Sequence, residues 1–92
     1  MKVKVKNMIS DRSNRAIANQ FIIMTDTGTY FQSYNSVIVY SPYNDGKIQL
    51  DEKYWDYSRT TSRYRNIFLR ESKTDTEKKI ESGEYELVNL ND

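Results

Sequence analysis

"KIQLDEKYWDYSRTTSRYRNIFL", Lys47–Leu69, changes its hydrophobic period partway along, and that change decides the fold class. Its first part follows Asp45-Gly46, a strong hairpin signal, so "KIQL" reads as a returning strand. Beyond Asp51 the pattern turns helical. At about 100° per residue, Tyr57, Thr61, Tyr64 and Phe68 fall within about 60° of one another, with Ile67 flanking. Ser58 or Thr60 can N-cap this helix. Trp55 is expected in the core, with Asp51 and Asp56 starting or capping the helical region.

Working outward, "KVKVK" (Lys2–Lys6) alternates at period two and reads as a half-buried strand with its lysines in water. An edge strand guarded by lysines has this pattern, and so does a nucleic-acid contact made with Arg12 and Arg15. "SDRSNRAIANQ" reads as a polar, mobile connection and "FIIMT" (Phe21–Thr25) as a strand. A hairpin turns around Gly28. Tyr30 and Tyr34 then sit on one parity and Phe31 on the other, so a bend or bulge is expected near Ser33–Ser36, before the buried strand "VIVYS" that Pro42 ends. Downstream, Thr74 and Glu77 suggest a capping box for a second helix, with Gly83 closing it. "YELVNL" (Tyr85–Leu90) alternates as a final strand. The expectation is one α+β domain over residues 1–92: a small antiparallel sheet of about four or five strands against one or two C-terminal helices, with a final strand.

At 92 residues the chain can bury one modest core. Apolar residues are 37% and charged residues 29%, polar but not a disordered composition, and eight tyrosines supply core mass. No cysteine means no disulfide or thiolate metal site, and no histidine removes the commonest general base and metal ligand. No cofactor and no metal are expected. An apolar run of about 18 residues is missing, and "MKVKVKNM" lacks a signal-peptide core, so no membrane partner and a cytoplasmic setting are expected. The net charge of +1 hides blocks: residues 1–18 carry +4, 19–58 −3, 59–70 +4 and 71–92 −4. Such a chain either neutralises itself on folding or presents separate basic and acidic surfaces.

On the helical wheel Arg59, Arg63, Asn66 and Arg70 form a stripe on the side away from the apolar centre. That stripe is a candidate anion-binding ridge, or a solvated face whose arginines pair with the acidic block 71–92. Exposed tyrosines such as Tyr43 are candidate anchors, because Arg and Tyr are enriched at binding hot spots. Asp51, Glu52 and Asp56 could serve as paired carboxylates, but capping is the simpler reading of residues adjacent in sequence. Gly-rich phosphate loops and nucleophile elbows are missing.

"FQSYNSVIV" and "GKIQLDEKYWDYSRTTSRYRNIFL", in that order, resemble a group of short uncharacterised proteins from bacteriophages and mobile elements, notably of Gram-positive bacteria. The likeness covers about residues 19–70. Many of those relatives carry histidine where this chain has Tyr64. The resemblance implies a small accessory protein acting on host machinery or host defence; anti-CRISPR inhibitors are commonly of this size. The expected function is therefore non-enzymatic: a binding protein that modulates or inhibits a host protein in the host cytoplasm. A nucleic-acid or nucleotide-binding module using the Arg59, Arg63 and Arg70 face is the alternative, and a homo-oligomer stays open.

Overall fold

A computed structural model describes residues 2–92. Six strands form one sheet in sequence order: β1 (Lys4–Ile9), β2 (Ala16–Met24), β3 (Gly28–Ser33), β4 (Ser36–Pro42), β5 (Gln49–Asp51) and β6 (Glu86–Val88). Neighbours are antiparallel except β5 and β6, which run parallel. A parallel pair needs a long crossover. Here it carries both helices, α1 (Arg59–Leu69) and α2 (Lys73–Ser82). The architecture is α+β, as the change of period predicts.

Register fixes the two faces of the sheet. Ile22, Phe31, Val39 and Leu50 are cross-strand partners in turn, and Phe31 stacks on Phe68 of α1 at 5.7 Å. The core of Met8, Phe31, Ile38, Val39, Leu50 and Tyr85 therefore lies under the helices, with Trp55, Tyr64, Phe68 and Ile80 packed against it. Alternation sends the next row, Val5, Ile23, Tyr30, Tyr40 and Gln49, to the opposite face.

Several expectations are corrected. Strand β2 is longer than expected, because Ala16–Gln20, expected as a loop, forms its first half. Polar composition there reflects exposure, not absence of a strand. Phase is lost at Tyr34–Asn35 because the chain reverses in a two-residue turn between β3 and β4. The bulge falls later, at Ile38, where Phe31 faces Val39 and Gln32 faces Val37. One extra residue lets both Ile38 and Val39 turn inward, which explains a strand apolar at every position. Val3 and Val5 are as exposed as the lysines beside them, since no layer covers that end of the edge strand. The final strand is shorter than residues 85–90, because its only neighbour, β5, is itself short.

Both helix starts are capped by serines. Ser58, one of the two candidates, accepts from the Thr61 amide, and Thr60 lies inside the helix. Ser72, not Thr74, caps α2 by accepting from Asp75, since α2 begins one residue before Thr74. Gly83 closes α2 at φ +83°, where a side chain would be strained. Tyr57, expected on the apolar face, precedes the helix and stays exposed.

Phe31→Ala should destabilise the protein by about 3–5 kcal/mol, the usual cost of emptying a fully buried aromatic position. Phe68→Ala should cost less, because Phe68 is only half-buried. Urea unfolding of the two variants checks the order, and equal costs would place Phe68 deeper than this packing allows.

Candidate functional site

The stretch that the sequence marks as chemically dense carries two different faces. Its inward face holds Arg65, completely buried. On the wheel Arg65 falls about 40° beyond Thr61, beside the apolar arc and well away from the Arg59 and Arg63 stripe, and that position was the signal that could have identified it. Its Nη1 donates to the Trp55 carbonyl, to Asp56 Oδ1 at 3.3 Å and to Ser62, and its Nη2 donates to Asn66 Oδ1 at 2.9 Å. The guanidinium also lies 5.1 Å from the Trp55 ring centroid. Asp56 is shared with Lys73 at 2.7 Å and with the Ser62 hydroxyl. Burial pushes the Asp56 carboxyl up, but Lys73, Ser62 and Arg65 together hold it below its ordinary value.

The other two notable carboxylates are also occupied. Asp51, buried at the end of β5, accepts from the amides of Tyr54 (2.8 Å), Lys53 (3.1 Å) and Leu90 (2.9 Å). It therefore ties the turn into α1 to the C-terminal segment. Burial alone would raise it, yet those donors lower it. Glu71, between the helices, accepts from Thr76, Lys79 Nζ (2.7 Å) and the Tyr85 hydroxyl (2.8 Å). Its burial is likewise outweighed by Lys79, Thr76 and Tyr85, so it too is lowered. Burial and the bond to Glu71 push Tyr85 up to about 12. These carboxylates are joints of the fold. Among the described residues no group of three acidic side chains is placed to hold a metal ion.

The outward face carries the predicted ridge. Arg59, Arg63 and Arg70 are all exposed, and the ion pairs among the described residues use Arg65, Lys73 and Lys79 instead. Arg70 is the C-cap, at φ 58°, so it leaves the helical wheel on which the stripe was drawn. Asn66 is turned sideways and occupied by Arg65. Tyr43 stands elsewhere: its amide donates to Thr27 and its hydroxyl accepts from Thr29, and it shares no hydrogen bond with α1. What the structure adds is Arg12. It and Arg63 line one groove with Met8, Ile17 and Tyr64, between half-exposed Ile9 and Ile67. Nothing in residue spacing could have joined Arg12 to Arg63.

A model of a family of unknown function, DUF8033, matches residues 3–84. No curated protein and no solved structure matches the chain. None of the described helices is long and apolar enough to cross a membrane.

Arg65→Ala should cost about 2–5 kcal/mol, the scale for truncating a fully buried large side chain, measured by chemical denaturation. A loss under 1 kcal/mol would show that Trp55, Asp56 and Ser62 do not depend on it. The titrations give a second expectation. Asp51, Asp56 and Glu71 sit below their unfolded values, so their stabilisation is complete above about pH 4 and drains away as acid protonates them. Tyr85 works oppositely: its contribution is whole below about pH 10 and is lost as pH rises toward 12. Melting temperature against pH should therefore fall at both ends, and Tyr85→Phe should flatten the alkaline limb.

Proposed function

The chain belongs to that family of unknown function, and from this premise we propose that it is a binding module, not an enzyme, whose α1 docks on an acidic surface of a partner protein. The observation that carries this is the division of labour among the arginines of one helix. Arg65 is buried and bonded, whereas Arg59, Arg63 and Arg70 are exposed and outside every ion pair among the described residues. The acids nearest α1 in sequence, Asp56 and Glu71, are taken by Arg65, Lys73 and Lys79, so the outward cations stay available. Exposed charge of one sign steers a partner of opposite sign and fixes its register. Beside it, Ile9 and Ile67 provide apolar area with Arg12 and Arg63 at the rim, a combination suited to a protein partner.

The finer part of the proposal is a phage or mobile-element origin and a host protein as partner, in the host cytoplasm, with a defence system such as CRISPR among the candidates. It rests on the resemblance of residues 19–70 alone. A nucleic-acid backbone would engage the same arginines, and salt separates the two, because phosphate contacts lose affinity steeply as salt rises.

The test is the triple variant Arg59→Glu, Arg63→Glu, Arg70→Glu, compared with wild type in melting and in tagged capture from host extract read by mass spectrometry. It should stay folded, since exposed charges contribute only about 0–1 kcal/mol each, and should lose a stoichiometric protein partner. Unfolding would mean the ridge is structural, and unchanged capture would mean it is only a solvated face.

A further inference from the structure

The two stretches that stand out in the sequence, "FQSYNS" and "YWDYSRTTS", are distant in the chain and meet in space. The β3–β4 turn and the segment entering α1 form the two walls of a cleft of about 530 Å³, lined by Ser33, Tyr34, Asn35, Ser36, Ile38, Tyr54 and Tyr57. That volume lies in the usual range of ligand sites. The walls are fastened together underneath: the Ser33 hydroxyl meets Thr61 Oγ1 at 3.1 Å, and Ser58 bonds the same atom at 3.2 Å.

Three features point to a ligand. First, Tyr34 takes φ +55° in a two-residue hairpin turn, a position that glycine or asparagine fills at least cost. Its backbone is held there from both sides, the amide by the Asn19 carbonyl at 2.7 Å and the carbonyl by Gln32 at 2.8 Å. A bulky residue kept in a strained position marks a place where the side chain is wanted. Second, Tyr34 and Tyr57 are 52% and 68% exposed, and Tyr57 packs on Tyr54 in a T-shaped pair at 5.6 Å, so aromatic surface lines the opening. Third, the polar groups are uncommitted. Tyr40, Tyr43 and Tyr85 use their hydroxyls within the fold. Among the described residues those of Tyr34, Tyr54, Tyr57 and Ser36, and the Asn35 amide, bond nothing.

We propose that this cleft binds an uncharged proline-rich segment in the polyproline II conformation. None of the lining residues is charged, so a phosphate backbone or a carboxylate-rich peptide has nothing to pair with here. A polyproline II chain has no internal hydrogen bonds and, at proline, no N–H, so it presents carbonyls and flat rings. The cleft offers the complement: hydroxyl and amide donors between tyrosine faces. Prolines arrive already ordered, which lowers the entropic cost of docking in an aromatic-lined groove. This site is separate from the arginine face.

The experiment is fluorescence anisotropy with a fluorescein-labelled ten-proline peptide, with maltohexaose and a ten-thymidine oligonucleotide as competitors. Wild type should bind saturably, and neither competitor should displace the peptide. Tyr57→Ala and Tyr34→Gly should each weaken binding by about tenfold or more. Tyr34→Gly should melt no lower than wild type, since glycine removes the strain, and that separates a ligand contact from a structural role. The triple arginine variant should bind the peptide normally, which keeps this result distinct from the fate of the α1 proposal. Lack of saturation below about 1 mM overturns the inference. So does binding indifferent to both tyrosine substitutions, or displacement by the sugar or the oligonucleotide.

Discussion

A buried guanidinium is costly unless it is hydrogen-bonded, and Arg65 organises its surroundings by that demand: both Nη atoms are bonded within the fold, while Nε has no partner among the described residues. To satisfy it, the chain between β5 and α1 must place the Trp55 carbonyl, the Trp55 ring and Asp56 around one point. Asp56 then draws in Ser62 from α1 and Lys73 from α2. One buried charge thus sets the entry of the first helix and the seat of the second. Replacing such a charge with apolar residues is often neutral for stability. Its value here is geometric, because its bonds tie the Trp55–Asp56 segment to α1.

The other two carboxylate joints extend the same scheme. Asp51 joins the end of β5 to the turn before α1 and to the tail after β6. Glu71 joins the two helices to Tyr85 at the approach to β6. Together the three hold a crossover of helices over a sheet whose last two strands are short. The Asn91 side chain adds to this by bonding both backbone groups of Val37. A small core is in this way supplemented by polar joints that titrate, which is why stability should respond to pH at both extremes.

Function follows from what those joints leave unused. Four arginines lie between Arg59 and Arg70, and structure consumes one of them. Eight tyrosines are distributed similarly. Tyr85 is locked in the core and Tyr40 and Tyr43 spend their hydroxyls on threonines, while Tyr34 and Tyr57 stand at an open cleft. The arginine ridge and the tyrosine cleft are thus two separate surfaces, one cationic and one neutral, with no lining residue in common.

Sequence alone determined the α+β class, because strand and helix periods differ and the change after Asp51 is unambiguous. It narrowed the α1 cap to Ser58 or Thr60 and placed the Gly83 stop and the hairpin at Gly28, since those signals act within a few residues. It also placed Arg59 and Arg63 on an outward face, a consequence of helical geometry alone. The parallel pairing of β6 with β5 was decided only in three dimensions, and so were the bulge that buries both Ile38 and Val39 and the burial of Arg65. The meeting of Arg12 with Arg63, and of the Tyr34 turn with Tyr57, belongs to the same class. Each of these joins residues far apart in the chain. Local propensity and periodicity carry no information about such pairs, because the energy that selects them comes from desolvation and packing between elements.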